Sequence, residues 1–387
     1  MTNTLTQRIQ TRAYELGFEL VGITPAEQSQ TIQRYQQWIE SGYAGKMDYL
    51  ERHLPLKEDT RRLLEEAKSI ISLAMNYYTL DTPKALVEDP SRGQISRYAW
   101  GDDYHDIIRE RLLLLVEFIK DTAETDLKSR VFVDSGPILE REYAQKATLG
   151  WIGKNTNLIN WRSGSWYFLA EVLVSIELEY ETQTLRGSCG TCTKCIEACP
   201  TDAIIEPNLL DSRLCISYLT IELKDSIPKE LRPQIGNLIF GCDICQEVCP
   251  WNSKAIPTTE PAFQPRDGNL APELLSLINM TQTEFSKKFK GSPIKRAKRR
   301  GFLRNVIVAI GNWRSRAAVP ALQKALTDDE PLLRGHAAWA LGQIGGKTAK
   351  HTLETRLACE SDSEVISEIQ EALQVIAGED ENPHVSI

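Results

Sequence analysis

The chain has 387 residues, 42% of them hydrophobic and 25% charged, with a net charge of −8. That length allows two or three domains with cores of their own, and the composition is that of an ordinary soluble globular protein. The N-terminus has neither an apolar signal core nor a twin arginine, and the longest apolar run of the first half, 112–116, is far short of the ~18 residues of a membrane span. A cytoplasmic protein with no membrane partner is therefore expected.

In chain order, 4–16 reads as a helix closed by Gly17, and the following FELVGIT as a strand ending at Pro25. Residues 28–40 form an amphipathic helix with Ile32, Tyr35 and Ile39 on one side and Gly42 as its C-terminal cap. A helical stretch at 60–68 leads into a buried strand at 69–78. After a loop rich in Pro, Asp and Gly, apolar residues at 107, 108, 112, 115, 116 and 119 give a long helix over 103–122 with a 3.6-residue period. VFVDS (131–135) is a short strand stopped by Gly136-Pro137, 139–149 is helical, and 166–176 (WYFLAEVLVSI) is another buried strand. Strands separated by helices indicate an α/β sandwich.

The stretch from Cys189 to Cys249 organises the rest. Cys189, Cys192, Cys195 and Cys199 are spaced at two, two and three residues and end on Pro200, a bacterial-ferredoxin run in which the fourth thiolate crosses to a second cluster. Cys242, Cys245, Cys249 and Pro250 repeat its ending, and Cys215 supplies the missing first ligand. Two [4Fe–4S] clusters follow, one on Cys189, Cys192, Cys195 and Cys249, the other on Cys199, Cys215, Cys242 and Cys245. Zinc has no use for the third evenly spaced Cys, and disulfides do not suit a reduced compartment. The ninth, Cys359, reads as a small buried hydrophobe.

Residues 256–272 are Pro-rich and polar, a linker. An all-helical end follows, in which FLRNVIVAIGN (302–312) is echoed by LLRGHAAWALGQ (332–343), a HEAT-like repeat with a period of about 31 residues instead of the usual ~40–47. Residues 287–316 hold eleven Lys or Arg and no acid, so the remainder carries −19. One basic segment on an acidic body suits a polyanionic partner.

GFELVGIT (17–24), ISRYAWGDDYH (95–105), VDSGPILERE (133–142), GWIGKN (150–155), the ferredoxin run and CISYLT (215–220), taken together in this order, resemble the epoxyqueuosine reductase family. The resemblance spans nearly the whole chain. It implies a cobalamin-dependent iron–sulfur enzyme that reduces epoxyqueuosine in tRNA to queuosine, the last step of queuosine synthesis, on a nitroreductase-like domain. It also implies that Asp134 is the general acid. The residues alone allow a second role for it, capping the next helix. As an acid it would have to be desolvated, because an exposed Asp is ionised at neutral pH. Arg141 would orient substrate or set the charge of Asp134; a surface salt bridge is its alternative. Lys57 and Arg97, in loops, would contact the corrinoid periphery, or else be solvated charges. GWIGKNTN does not fit a P-loop, and its Lys154 and Asn155 are expected near the cofactor. Ser217 is expected where the cluster module meets the corrinoid. Asp103-Tyr104-His105 begins like a DxHxxG loop, but position 108 is Ile, so His105 is read as a helix-start residue and cobalt is expected without a protein histidine.

The fold expected is α+β and multidomain: a nitroreductase-like cobalamin domain at 1–186, a ferredoxin-like two-cluster module at 187–255, a linker at 256–279, HEAT-like helices at 280–378 and a tail at 379–387. The cofactors are two [4Fe–4S] clusters and cobalamin. The partners are tRNA and an external electron donor, and a monomer is expected. A reductive-dehalogenase-like corrinoid enzyme and a plain two-cluster electron carrier are the competing readings.

Overall fold

The computed structural model describes residues 4–123, 125–182 and 184–381; most of the tail expected from 379 lies outside these. The chain divides into two compact units, each assembled from three segments. The first holds the chain up to Leu80, Gly101–Cys215 and Asp243–Gln264, and the second Asp81–Trp100, Ile216–Cys242 and the chain from Pro265 on.

The first unit is built on one four-stranded sheet. Its strands are β1 (Leu20–Pro25), β2 (Ser69–Asn76), β3 (Ser129–Val133) and β4 (Tyr167–Val174), in the order β1-β2-β4-β3, every neighbouring pair antiparallel. β2 and β4 are central and buried on both faces, which explains why they read as apolar runs without alternation. The helices that position the site are α1 (Leu5–Glu15), α2 (Ile32–Glu40), α3 (Leu54–Glu58), α4 (Tyr104–Thr122) and α5 (Glu140–Lys146). Thr4 and Gln7 close a capping box on α1, and Asp103 caps α4 by accepting the His105 N–H. α5 covers one face of the sheet, where Ala144 and Ala147 pack with Ala74 and Leu169. α4 covers the other, where Tyr104 stacks on Phe168 with ring centroids 4.0 Å apart. The helix expected over 60–68 shrinks to a 3₁₀ turn at Thr60–Arg62, which Asp59 caps.

In the second unit, α6 (Ile216–Ile221) and α7 (Gln282–Lys288) precede the repeat helices α8 (Lys298–Trp313), α9 (Val319–Ala325), α10 (Pro331–Ile344), α11 (Gly346–Leu357) and α12 (Ser363–Glu381). α8, α10 and α12 stack in sequence. The recurring Ile-Gly and Leu-Gly pairs have a packing cause. A Cβ on Gly311 would come within 2.5 Å of the Trp339 ring, and one on Gly342 within 2.8 Å of Ala372, so glycine at the repeat interval lets successive helices approach closely. Arg232 is buried here and paired bidentately with Glu368 at 3.0 and 2.7 Å. None of the described helices is long and apolar enough to cross a membrane.

Candidate active site

β3 ends at Val133, and the next residue, Asp134, is left-handed (φ 51°). Asp tolerates this region better than most side chains. Gly136 is required two residues on, because a Cβ there would lie 2.5 Å from the Phe132 ring. The turn delivers Asp134 into a cavity of about 170 Å³ lined by Tyr104, Glu140, Arg141, Asn157 and Tyr167 among others. The Tyr104 hydroxyl donates to Asp134 Oδ2 (2.6 Å), and His105 Nε2 lies 3.5 Å from the same oxygen. His105 Nδ1 meets Asp103 Oδ1 at 2.8 Å. Burial by itself would lower the imidazole's pKa, but its bonds to Asp103 and Asp134 outweigh that and push it up to about 9. His105 therefore starts a helix, as read from the sequence, and also sits as an imidazolium beside Asp134, which the sequence reading missed. The Asp134 side chain remains 46% exposed, so the protein's own atoms do not supply the dry environment expected for it.

Lys57 is not in a loop: it lies in α3, buried, its Nζ donating to the Ile138 carbonyl (3.1 Å). Burial pulls its pKa down, while Glu140, Glu171 and Asp134 oppose that. Arg141 lines the cavity and donates to the Thr156 carbonyl (2.7 Å), on another left-handed residue. Lys154 and Asn155 reach the cysteine loops: the Lys154 N–H approaches Cys189 Sγ (3.4 Å), its Nζ donates to the Gly190 carbonyl (2.9 Å), and Asn155 Nδ2 donates to the Cys245 carbonyl (3.3 Å). Arg97 and Ser217 belong to the second unit. Arg97 is buried over Trp100 and bonded to Asp81 at 3.2 Å, and Ser217 is half-buried in the first turn of α6.

The eight cysteines of the ferredoxin run are all partly buried. Burial raises the Cys249 thiol, and Cys189 and Cys192 are near enough to raise it further; Cys195 is likewise raised by burial and then by Cys189 and Cys249. The Cys249 thiol thus lies with the first run of three. The Cys199 sulfur accepts the Ala203 N–H at 3.3 Å. Half-buried thiols met by backbone donors fit cubane clusters, whose potentials such N–H···S bonds tune. Cys359, expected to be buried, is exposed. Around the cavity, the aromatic rings of Tyr77 and Phe168 with the donors Tyr104, Asn157, Tyr167 and Arg141 combine an apolar surface with hydrogen-bonding groups, the mix found in ligand sites.

Glu140 and Glu171 were missed by the sequence reading. The signal was present, since Glu171 is the one acid inside the apolar run 166–176.

Fold and site together define an iron–sulfur oxidoreductase with an acid-bearing cavity at a sheet end. Residues 188–252 match the 4Fe-4S double cluster binding domain, 57–135 match epoxyqueuosine reductase QueG, DUF1730, and 297–374 match HEAT repeats. The chain is 42% identical over 358 residues to the epoxyqueuosine reductase of Escherichia coli (strain K12), covering 92% of each. It superposes with a TM-score of 0.89, at 32% identity and covering 96% of this chain and 99% of that one, on a crystal structure of epoxyqueuosine reductase with a tRNA-Tyr epoxyqueuosine-modified stem loop. It matches equally, in score, identity and coverage, the Bacillus subtilis enzyme whose aspartate-bearing catalytic loop is swung out of the active site. The chain belongs to the epoxyqueuosine reductase family and carries a domain that binds two [4Fe–4S] clusters.

Proposed function

We propose that this chain reduces the epoxide of epoxyqueuosine in tRNA to the alkene of queuosine, with Asp134 as the acid that protonates the departing oxygen. The observation that carries the assignment is the Asp134 turn: a left-handed carboxylate, aimed into a cavity and fixed by Tyr104 and His105. Removing an epoxide oxygen as water takes two electrons and two protons. The electrons come from an external one-electron donor through clusters held by Cys189, Cys192, Cys195 and Cys249 and by Cys199, Cys215, Cys242 and Cys245. Cobalamin, when bound, would supply a two-electron reductant for the epoxide. Lys57, Arg97, Lys154, Asn155 and Ser217 are read as its surroundings, with Lys154 and Asn155 also fixing the cluster loops beside it.

The protein's own contribution is positional and protic. Tyr104 stacks with His105 and with Phe168, ring centroids 4.1 and 4.0 Å away, and its hydroxyl holds the Asp134 carboxylate. The His105 imidazolium adds a second donor. Arg141, held from behind by Thr156, presents a cation to the substrate. The nucleobase must be splayed out of its loop to reach the cavity. We read the protein as a monomer acting in the cytoplasm, where tRNA is modified. Mass analysis of tRNA nucleosides from a strain lacking the gene tests the substrate: epoxyqueuosine accumulates and queuosine disappears if the reading holds, and unchanged queuosine refutes it.

A further inference from the structure

The loops around the Cys189–Cys195 run carry a second basic surface. Residues 154–165, 184–195 and 250–259 hold five Lys or Arg (Lys154, Arg162, Arg186, Lys194 and Lys254) and no acid, in a chain of net charge −8. None of the five forms an ion pair among the described residues. Three of them meet on one tryptophan. The guanidinium carbons of Arg162 and Arg186 lie 4.6 and 5.4 Å from the centroid of the Trp161 ring, and Lys254 Nζ donates to the Trp161 carbonyl (3.4 Å). Lys254 Nζ also lies 4.7 Å from the Trp251 ring centroid, and that ring meets Trp151 edge-on at 5.0 Å. Aromatic faces hold cations in this way through their quadrupoles. Arg162, Arg186 and Lys254 are exposed, Trp161 and Trp251 are half-buried, and Ile256, in the same loop as Lys254, is 73% exposed. The surface thus combines aromatic and apolar area with arginine and lysine, a mix that suits protein docking better than a plain solvated charge run does.

This surface is joined to one set of cysteines. Gly187, two residues before Cys189, packs on Trp151, where a Cβ would come within 2.3 Å of the ring. Trp251 stands two residues after Cys249, and the N–H groups of Trp251 and Asn252 bond the Cys249 sulfur. Gly190, Thr191, Thr193 and Lys194, between the cysteines of the first run, are exposed. Cys245, of the second set, meets the Asp134 cavity instead. Asn157, which lines that cavity, has its Nδ2 4.0 Å from Cys245 Sγ, and Gln246 lines it as well. The first set therefore faces solvent and the second faces the cavity. We propose that the patch of Trp161, Arg162, Arg186, Trp251 and Lys254 is the docking surface of the external electron donor, and that this donor is an acidic one-electron carrier protein. The inference rests on the clusters being the electron path of the proposed function. In each encounter the donor is oxidised by one electron and the cluster on Cys189, Cys192, Cys195 and Cys249 is reduced by one. Two encounters supply the two electrons that one epoxide consumes. A small contact suffices, since electron-transfer encounters bury less than about 1,200 Å². RNA is the other polyanion to consider, but none of the five cations lines the Asp134 cavity, and it is the solvent-facing cysteines that they surround.

The test follows cluster reduction, not turnover, on the cluster-reconstituted full chain. The probe is a reduced plant-type [2Fe–2S] ferredoxin of net negative charge, with a potential of about −400 mV. Stopped-flow absorbance gives the second-order rate constant with which it reduces the clusters. In the triple variant Arg162→Gln, Arg186→Gln, Lys254→Gln this constant should fall about tenfold at low salt and converge on the parent's at about 0.5 M salt, where steering by opposite charges is screened. Iron content, the extent of reduction by dithionite and the affinity for a tRNA stem loop should stay parental. A control triple at other exposed cations, Arg8→Gln, Lys120→Gln, Lys347→Gln, makes the same change in net charge and should stay within about twofold of the parent. If the first triple loses iron, Arg186→Gln alone should slow reduction about threefold at low salt. A parental constant and salt dependence in the first triple, or an equal fall in the control, overturns the docking surface. So does a fall in stem-loop affinity with unchanged cluster reduction, which makes the patch an RNA contact. Patch-dependent cluster reduction supports the surface even where the parent leaves epoxyqueuosine unreduced, a result that refutes the proposed substrate alone.

Discussion

Asp134 carries the chemistry on one unusual backbone conformation. Asn also tolerates the left-handed region, whereas most other side chains add strain of roughly 1–2 kcal/mol. Asp134→Asn should therefore keep fold, iron content and tRNA affinity while turnover drops by about 10²–10⁴, the worth of a positioned acid. Measuring all four in one preparation checks this, and near-parental turnover would reduce Asp134 to a structural turn residue. His105 gives the second expectation at this scale. Its folded-state pKa is raised, so the imidazolium's contribution is full below the unfolded value near 6.5 and is lost as pH rises through about 9. The rate of single turnover should be level through neutral pH and fall on an alkaline limb centred near 9. His105→Asn should abolish that limb. A parental alkaline limb in His105→Asn would assign it to another group.

At the scale of elements, the cysteine loops and α8 make separate demands. Cys199→Ala should deplete the cluster shared with Cys215, Cys242 and Cys245 and spare the other, taking iron from about eight to about four per chain. Loss of the Cys189 cluster instead would reverse the crossing, and Cys359→Ala should leave iron unchanged. Within α8, the basic segment is not a uniform charged face. Arg304 is fully buried and donates to the carbonyls of Leu219, Leu223 and Asp225 at 2.6–2.8 Å. Arg304→Met strands those acceptors and should cost about 3–5 kcal/mol in denaturant unfolding, against less than about 0.5 for exposed Lys295→Met. Equal midpoints for the two would show that the buried guanidinium contributes nothing.

For the whole molecule, tRNA capture depends on which cations remain available. Arg296 pairs with Glu222, Arg299 with Asp328 and Arg300 with Glu330, so these three charges are already engaged within the protein. Lys287, Lys288, Lys290, Lys295 and Lys298 are exposed. Replacing these five by Gln should weaken tRNA binding and flatten the plot of log affinity against log salt by up to about 0.7–0.9 per lost phosphate contact. An unchanged slope would move the tRNA site off this segment.

The sequence by itself determined the cluster chemistry, because cubane ligands declare themselves by residue type and spacing within 61 consecutive positions, Cys189 to Cys249. It also determined most strands and helices, since β2, β4 and α4 are long and strongly patterned, and it showed the helical repeat. Only the tertiary structure decided the antiparallel order β1-β2-β4-β3, since apolar runs buried on both faces carry no sign of direction. It decided that α3 buries Lys57, that Lys154 and Asn155 serve the cysteine loops, and that Arg304 is a core residue while neighbouring lysines are not. It also decided which acids gather around Asp134. Tyr104, Glu140 and Glu171 come from three elements separated in sequence, and burial, with Asp134 nearby, raises the proton affinity of the two glutamates. Those are properties of packing, which residue type alone does not encode.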